Sequence, residues 1–131
     1  MAGPPVELLK RIPLFEELDV AELQVLADSM HEANVPAGGT VTAEGGPGDG
    51  FFVLESGEAE VRVGGDVRAT MSAGDYFGEI ALLRGSDRTA TVTATTELRC
   101  YALTPQDFRA LVEGNPSIAW NVMQSMAARL S

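Results

Sequence analysis

The stretch Phe77-Gly78-Glu79-Ile80-Ala81-Leu82-Leu83-Arg84-Gly85-Ser86-Asp87-Arg88-Thr89-Ala90-Thr91-Val92 decides how the rest of the chain is read. Gly74-Asp75 ahead of it is a turn, and Phe77 closes a strand. Gly78 lets the backbone approach another group closely. Glu79 to Leu83 holds good helix formers, but only about one turn of them. Gly85-Ser86-Asp87 breaks that turn, and Arg88 stands at the start of a β-branched strand. A short helix start and an arginine are thus held by one compact loop. Free N–H groups at a helix start receive an anion, and a guanidinium fork adds the countercharge. Glu79 beside them would repel a bare phosphate, so the ligand it suits also carries hydroxyls, as a sugar phosphate does.

Outward from this segment, punctuation divides the chain into three parts. Residues 1–34 read as helical, 35–103 hold most of the glycines and read as short strands and turns, and 104–131 read as helical again. In the first part Asp19 occupies an N-cap position with Glu22 three residues on, an Asp-led capping box. Val20, Leu23, Leu26, Ala27 and Met30 follow at helical spacing, and His31 is read as a helix-end residue. Val6 to Lys10 can form a short helical turn, and Leu14-Phe15 an apolar anchor. The middle part offers strands near 39–43, 51–54, 59–63, 67–70, 89–94 and 98–103, with a turn cluster over 45–50 and a tight hairpin turn at Gly64-Gly65 or Gly65-Asp66. Short strands with turns every 8–12 residues fit a sandwich, a jelly roll or a barrel. In the last part Thr104 caps a helix that starts at Pro105 and ends at Gly114. Pro116 opens a final helix on which Ile118, Ala119, Val122, Met123, Met126, Ala127 and Leu130 form one wide apolar face.

Composition excludes several functions. The 131 residues are one domain's worth of chain, with 45% hydrophobic and 21% charged residues, an ordinary globular balance. Nine basic against nineteen acidic residues leave a net charge of −10, so nothing resembles a basic stripe for nucleic acid. One cysteine, Cys100, allows no internal disulfide, and one histidine, His31, excludes any site needing two imidazoles. Glu55, Glu58 and Glu60 read as a solvated face, and no metal site is expected. No apolar run approaches a membrane span, and Met1 to Pro5 lack the start of a signal peptide, so a cytoplasmic location is expected. With one His, one Cys and one Lys, and no GxxxxGK[ST] or GxSxG, no catalytic constellation assembles; the chain reads as a non-enzyme.

The segment from Phe77 to Val92 resembles the phosphate-binding cassette of the cyclic nucleotide-binding domain family: Phe-Gly-Glu, a hydrophobic residue, Ala-Leu, a short variable turn, then Arg, a small residue, Ala and a β-branched pair. The leading helix before Pro36-Ala37-Gly38, the Gly45 to Gly57 turn region, Gly74-Asp75 and the two trailing helices also sit where that family has them. The resemblance implies an α+β fold, a jelly-roll-like antiparallel β-roll flanked by N-terminal and C-terminal helices. It makes 1–131 a single domain: helices over 1–34, the roll with its cassette (77–92) over 35–103, and lid helices over 104–131.

It also implies roles. Arg88 would pair with the cyclic phosphate, Glu79 would accept a hydrogen bond from the ribose 2′-hydroxyl, and backbone N–H groups near Ile80, Ala81 and Ala90 would cradle the phosphate, with Gly78 permitting approach. Thr89 bears on the choice of base; cyclic AMP is favoured over cyclic GMP. The base lid would come from the final helix, with Trp120, Met123, Gln124, Met126 and Arg129 as candidates. No further cofactor is implied. The expected function is a cyclic nucleotide sensor whose C-terminal helices move, with output through an effector domain, a partner chain or a second copy joined at the C-terminal helix. The alternative is a degenerate docking or dimerisation module of the same fold.

Overall fold

The structure, a computed structural model, describes residues 3–42, 50–77 and 90–130. The chain opens with α1 (Val6–Lys10), a 3-10 turn (Pro13–Phe15) and α2 (Val20–Asp28). Eight strands follow: β1 (His31–Val35), β2 (Thr40–Thr42), β3 (Phe51–Ser56), β4 (Ala59–Val63), β5 (Asp66–Met71), β6 (Tyr76–Phe77), β7 (Thr91–Ala94) and β8 (Leu98–Leu103). Two helices, α3 (Pro105–Gly114) and α4 (Pro116–Leu130), complete it. The strands form two four-stranded sheets, ordered β1-β8-β3-β6 and β2-β7-β4-β5, with antiparallel pairing throughout. The architecture is the expected antiparallel β-roll flanked by helices.

The inner strand β3 of the first sheet is buried on both faces over residues 51–54, which explains its continuous apolar run Phe51-Phe52-Val53-Leu54. Phe51 and Val53, with Tyr101 and Leu103 from β8, pack into the helical layer against Leu9, Phe15, Leu26, Phe108 and Ile118. Phe52 and Leu54, with Leu98 and Cys100, pack instead against Ala59, Met71, Val92 and Ala94 of the second sheet. Alternate residues of one strand therefore serve two cores, as the two-residue period of a strand requires. The anchor Leu14-Phe15 is buried as its composition predicts, and the Phe15 ring meets Phe51 edge-on at 5.5 Å. Cys100 lies in the roll interior, where burial pushes its thiol up to about 11.

Local signals explain the element boundaries. At α2 the Asp19 carboxylate accepts from Glu22 N at 2.8 Å, and Glu22 Oε1 accepts from Asp19 N at 3.0 Å, a complete capping box. Thr104 Oγ1 accepts from Asp107 N at 3.1 Å and caps α3, with Pro105 at its first position. Gly64 and Gly65, both at positive φ (61° and 88°), close the β4–β5 hairpin with the backbone of a type I′ turn.

Two expectations are corrected. Helical structure does not run to residue 34: α2 ends at Asp28, and His31–Val35 is strand β1 on an edge of the first sheet. His31 is therefore a strand residue, its Nε2 lying 3.1 Å from Asp107 Oδ2 at the start of α3. The wide apolar face of α4 is also not one surface. Ile118 and Val122 are buried, whereas Met123 and Met126 of the same face stand 55% and 36% exposed, as does Trp120 beside them at 59%. The turn cluster over 45–50 lies outside the described residues except for Gly50.

Candidate functional site

The cassette segment is anchored at both ends, and in different sheets. Upstream, β6 hydrogen-bonds the edge of β3 in the first sheet, with Tyr76 opposite Val53 and Phe77 opposite Phe52. The Phe77 ring stacks on Phe52 at 5.0 Å and 15°, so the first residue of the motif is pinned by an aromatic pair. Downstream, half-buried Ala90 leads into β7, an inner strand of the second sheet, where Val92 lies opposite Val61 on one side and Thr42 on the other. Gly78, Glu79, Ile80, Ala81, Arg88 and Thr89 lie outside the described residues; of the cassette residues singled out, Ala90 alone lies within them.

Between the sheets, the roll interior is lined by Phe52, Leu54, Met71, Val92, Leu98 and Cys100, with Val35, Val41, Val61 and Phe77 partly buried around them. These walls are apolar. They offer an anion no countercharge, whereas the sequence between β6 and β7 carries Glu79 and Arg88. Among the described residues no group of three or more His, Cys, Asp or Glu side chains could hold a metal ion. No helix is long and apolar enough to cross a membrane, again among the described residues.

Several charged groups on the outer faces pair with one another. Arg99 on β8 lies 3.0 Å from Glu32 Oε2 and 3.7 Å from Glu55 Oε1, and the Tyr101 hydroxyl donates to Glu55 Oε1 at 3.3 Å. Glu32 Oε2 is buried and makes no hydrogen bond, so its contact with Arg99 is charge attraction without alignment. Burial and the adjacent Glu55 carboxylate raise the Tyr101 hydroxyl above its ordinary value. Glu60 pairs with Arg62 at 2.9 Å. The face holding Glu55, Glu58 and Glu60 is thus only partly the solvated one its composition suggests; Glu58 is exposed and the other two are half-buried. A groove of about 430 Å³ between α2 and α3 is lined by Asp28, Ser29, His31, Asp107, Leu111 and Asn115. Its polar side chains are already engaged: Asp28 with Gln24, His31 with Asp107, Ser29 with Val25 O and Asn115 with Leu111 O.

The lid candidates all lie on α4. Trp120, Met123, Gln124 and Met126 are exposed, and Arg129 is placed in the helix, its side chain outside the described residues. α4 rests on the 3-10 turn and on α3. Its polar side contacts α2: Glu22 accepts from Ser117 Oγ at 2.6 Å and from Asn121 Nδ2 at 3.0 Å. Ser125, fully buried, accepts from Glu17 N at 3.3 Å and donates to Asn121 O at 3.1 Å. The hydrogen bonds that Glu22 itself accepts hold its carboxyl below the usual carboxylate value, the Ser117 hydroxyl contributing most and the Asp19 N–H next. Sequence reading found Glu22 only as a capping residue and missed Ser117, Asn121 and Ser125. Their spacing at positions 117, 121 and 125 marks one helix face, but it is a polar stripe that resembles a solvated one.

Comparison with known proteins agrees with this architecture. The family model for the cyclic nucleotide-binding domain matches residues 32–115. The cAMP-dependent protein kinase regulatory subunit of Yarrowia lipolytica is 44% identical over 106 residues, 79% of this chain and 28% of that protein. The chain thus spans about a quarter of the length of such relatives. The N-terminal domain of a transcriptional regulator from Streptomyces coelicolor A3(2) superposes with a TM-score of 0.89 at 31% identity, covering 94% of this chain and 91% of that one. The regulatory domain of Toxoplasma gondii PKA, solved with cAMP, superposes with a TM-score of 0.73 at 30% identity, over 81% of this chain and 42% of that one. With the roll and its flanking helices in place and the family model matched over residues 32–115, the chain belongs to the cyclic nucleotide-binding domain family.

Proposed function

We propose that this chain is a cyclic nucleotide sensor module, with cyclic AMP preferred over cyclic GMP. The observation that carries the reading is the sequence of the cassette from Phe77 to Val92, whose described ends, Phe77 and Thr91-Val92, lie in strands of the two different sheets. Arg88 supplies the countercharge for the cyclic phosphate, and a bond of this type to a charged group contributes about 1.5–3 kcal/mol net. Glu79 accepts from the ribose 2′-hydroxyl, the N–H groups near Ile80, Ala81 and Ala90 cradle the phosphate, and Gly78 leaves room for it. Thr89 faces the question of adenine against guanine. The relatives named for cAMP support the choice of adenine. Trp120, Met123, Gln124, Met126 and Arg129 are the candidates to cover the base.

The module binds its ligand and leaves it unchanged. Its output passes to an effector domain, a partner chain or a second copy through α4, whose exposed Trp120 and Met123 offer apolar surface for that contact. The test is calorimetric titration of protein that has been unfolded, stripped of ligand and refolded. Cyclic AMP should saturate one site, cyclic GMP should bind more weakly, and linear AMP should not bind. Arg88→Leu should abolish binding without loss of fold. Glu79→Ala should weaken it and narrow the gap between cyclic AMP and its 2′-deoxy analogue. A folded, ligand-free protein that binds no cyclic nucleotide would instead point to a docking or dimerisation module.

A further inference from the structure

We propose that Glu22 is a positioning residue for the nucleotide response: while it caps α2, its carboxylate latches α4 onto the N-terminal helices, and that latch must open before α4 can cover a bound base. The last clause rests on the sensor reading above; the latch itself does not.

Glu22 is used twice. One oxygen completes the capping box with Asp19 N at 3.0 Å, which any helix start could require. The same carboxylate also receives Ser117 Oγ at 2.6 Å and Asn121 Nδ2 at 3.0 and 3.2 Å, from residues 95 and 99 positions away. One turn further along α4, buried Ser125 takes Glu17 N, the residue two before the Asp19 cap. Four side chains, at 22, 117, 121 and 125, therefore join α4 to the chain that leads into α2.

The apolar share of this attachment is small. Among the described side chains of α4, only Ile118 and Val122 join the helical core, and Ser125 takes the place on that face where a third apolar residue would sit. α4 is thus held to a large extent by polar contacts at a partly solvated seam. Such contacts can be exchanged for water at modest net cost, which buried apolar surface cannot. In the latched position Trp120 and Met123 are in solvent. A shift of α4 that carries either of them over a base breaks the bonds at Glu22. A protein whose binding-competent arrangement is only fractionally populated shows an affinity lowered by that fraction. Weakening the latch raises the fraction and tightens binding.

The experiment separates latch from cap. Ser117→Ala combined with Asn121→Ala removes both α4 donors and leaves the Asp19–Glu22 box intact. Alanine at 121 also favours the helix itself, so faster amide exchange in α4 could not come from weaker helix propensity. In ligand-free protein, hydrogen exchange over 118–130 should accelerate in the double variant and stay unchanged over β3 and β8. Its Kd for cyclic AMP should fall about 3- to 10-fold, the reciprocal of the rise in competent fraction. Asn121→Asp, which sets a second carboxylate against Glu22, should give the larger effect on both readouts. Unchanged exchange in both variants would overturn the latch. Faster exchange with an unchanged or weaker Kd would overturn its coupling to the ligand. If the parent protein bound neither cyclic AMP nor cyclic GMP, the sensor reading and the coupling would fall together, while the exchange measurement alone would still decide the latch.

Discussion

Gly57 shows how closely the β-roll is constrained at a single residue. It joins β3 to β4 with φ of 95°, in the left-handed region that β-carbon sterics disfavour. A β-carbon there would collide with the carbonyl oxygen of Glu97 and crowd Leu98 Cα at 3.0 Å, both backbone atoms at the entry to β8. Gly57→Ala should therefore combine a conformational cost of roughly 1–2 kcal/mol with displacement of an inner strand. Urea unfolding should show a midpoint lowered by more than that cost alone predicts, with an unchanged slope. A loss within about 0.5 kcal/mol, typical of a neutral surface change, would mean that the turn can relax. The turn itself was legible: Ser56-Gly57 after an apolar run marks a strand end. The neighbour was not, because nothing near position 57 in the sequence says that Glu97 returns to the same place.

At the scale of elements, the sequence is most readable where a backbone requirement falls within one turn of chain. The Asp19–Glu22 box, the Thr104 cap and the Gly64-Gly65 hairpin all have this form, and the structure holds each of them. β1 escaped because His-Glu-Ala-Asn-Val on a sheet edge buries too little to alternate in the usual way; none of its residues is fully buried. The division of α4 into a docked and an exposed side also escaped, because helical spacing reports apolar positions and not which of them find a partner. The motif of the candidate site was the clearest signal of all, since many specific residue types fall together within one short stretch, Phe77 to Val92. Glu22 joins the readable and unreadable parts, and it titrates. Among the described residues no ammonium or guanidinium pairs with it; Ser117, Asn121 and the Asp19 N–H hold its pKa below the ordinary carboxylate value. A carboxyl whose folded pKa is lowered contributes stability that is complete above its unfolded pKa and is lost as pH falls through the folded one. Acidification below the usual carboxylate range should thus release α4 before the two sheets unfold. Trp120 emission and anisotropy should change ahead of far-ultraviolet circular dichroism, and Glu22→Gln, which keeps the cap, should remove that early step. Coincident transitions in the parent protein would refute the ordering.

The whole molecule adds an effect that no single contact supplies. Its formal net charge is −10, yet the proposed ligand is itself an anion. Ten charges acting on a monoanion at about 20 Å in water amount to a repulsion of about 2 kcal/mol before screening. The screening length is about 30 Å at 0.01 M salt and about 8 Å at 0.15 M, so about half of that repulsion survives in dilute buffer and little of it at physiological salt. Nucleic-acid binding proteins lose affinity as salt rises because they release counterions from a polyanion. Here the long-range field opposes the proposed ligand, and the close contact proposed for Arg88 would favour it. Salt weakens the former far more than the latter, because a contact inside a partly closed site is poorly screened. The association rate of cyclic AMP should accordingly rise about two- to five-fold between 0.01 and 0.15 M sodium chloride, with the dissociation rate nearly constant. Stopped-flow mixing followed through Trp120 would read both rates. A rate that falls with salt would mean that the cassette projects a positive field beyond its own pocket, strong enough to outweigh the rest of the surface. Steering by the site would then be the dominant electrostatic feature of this domain.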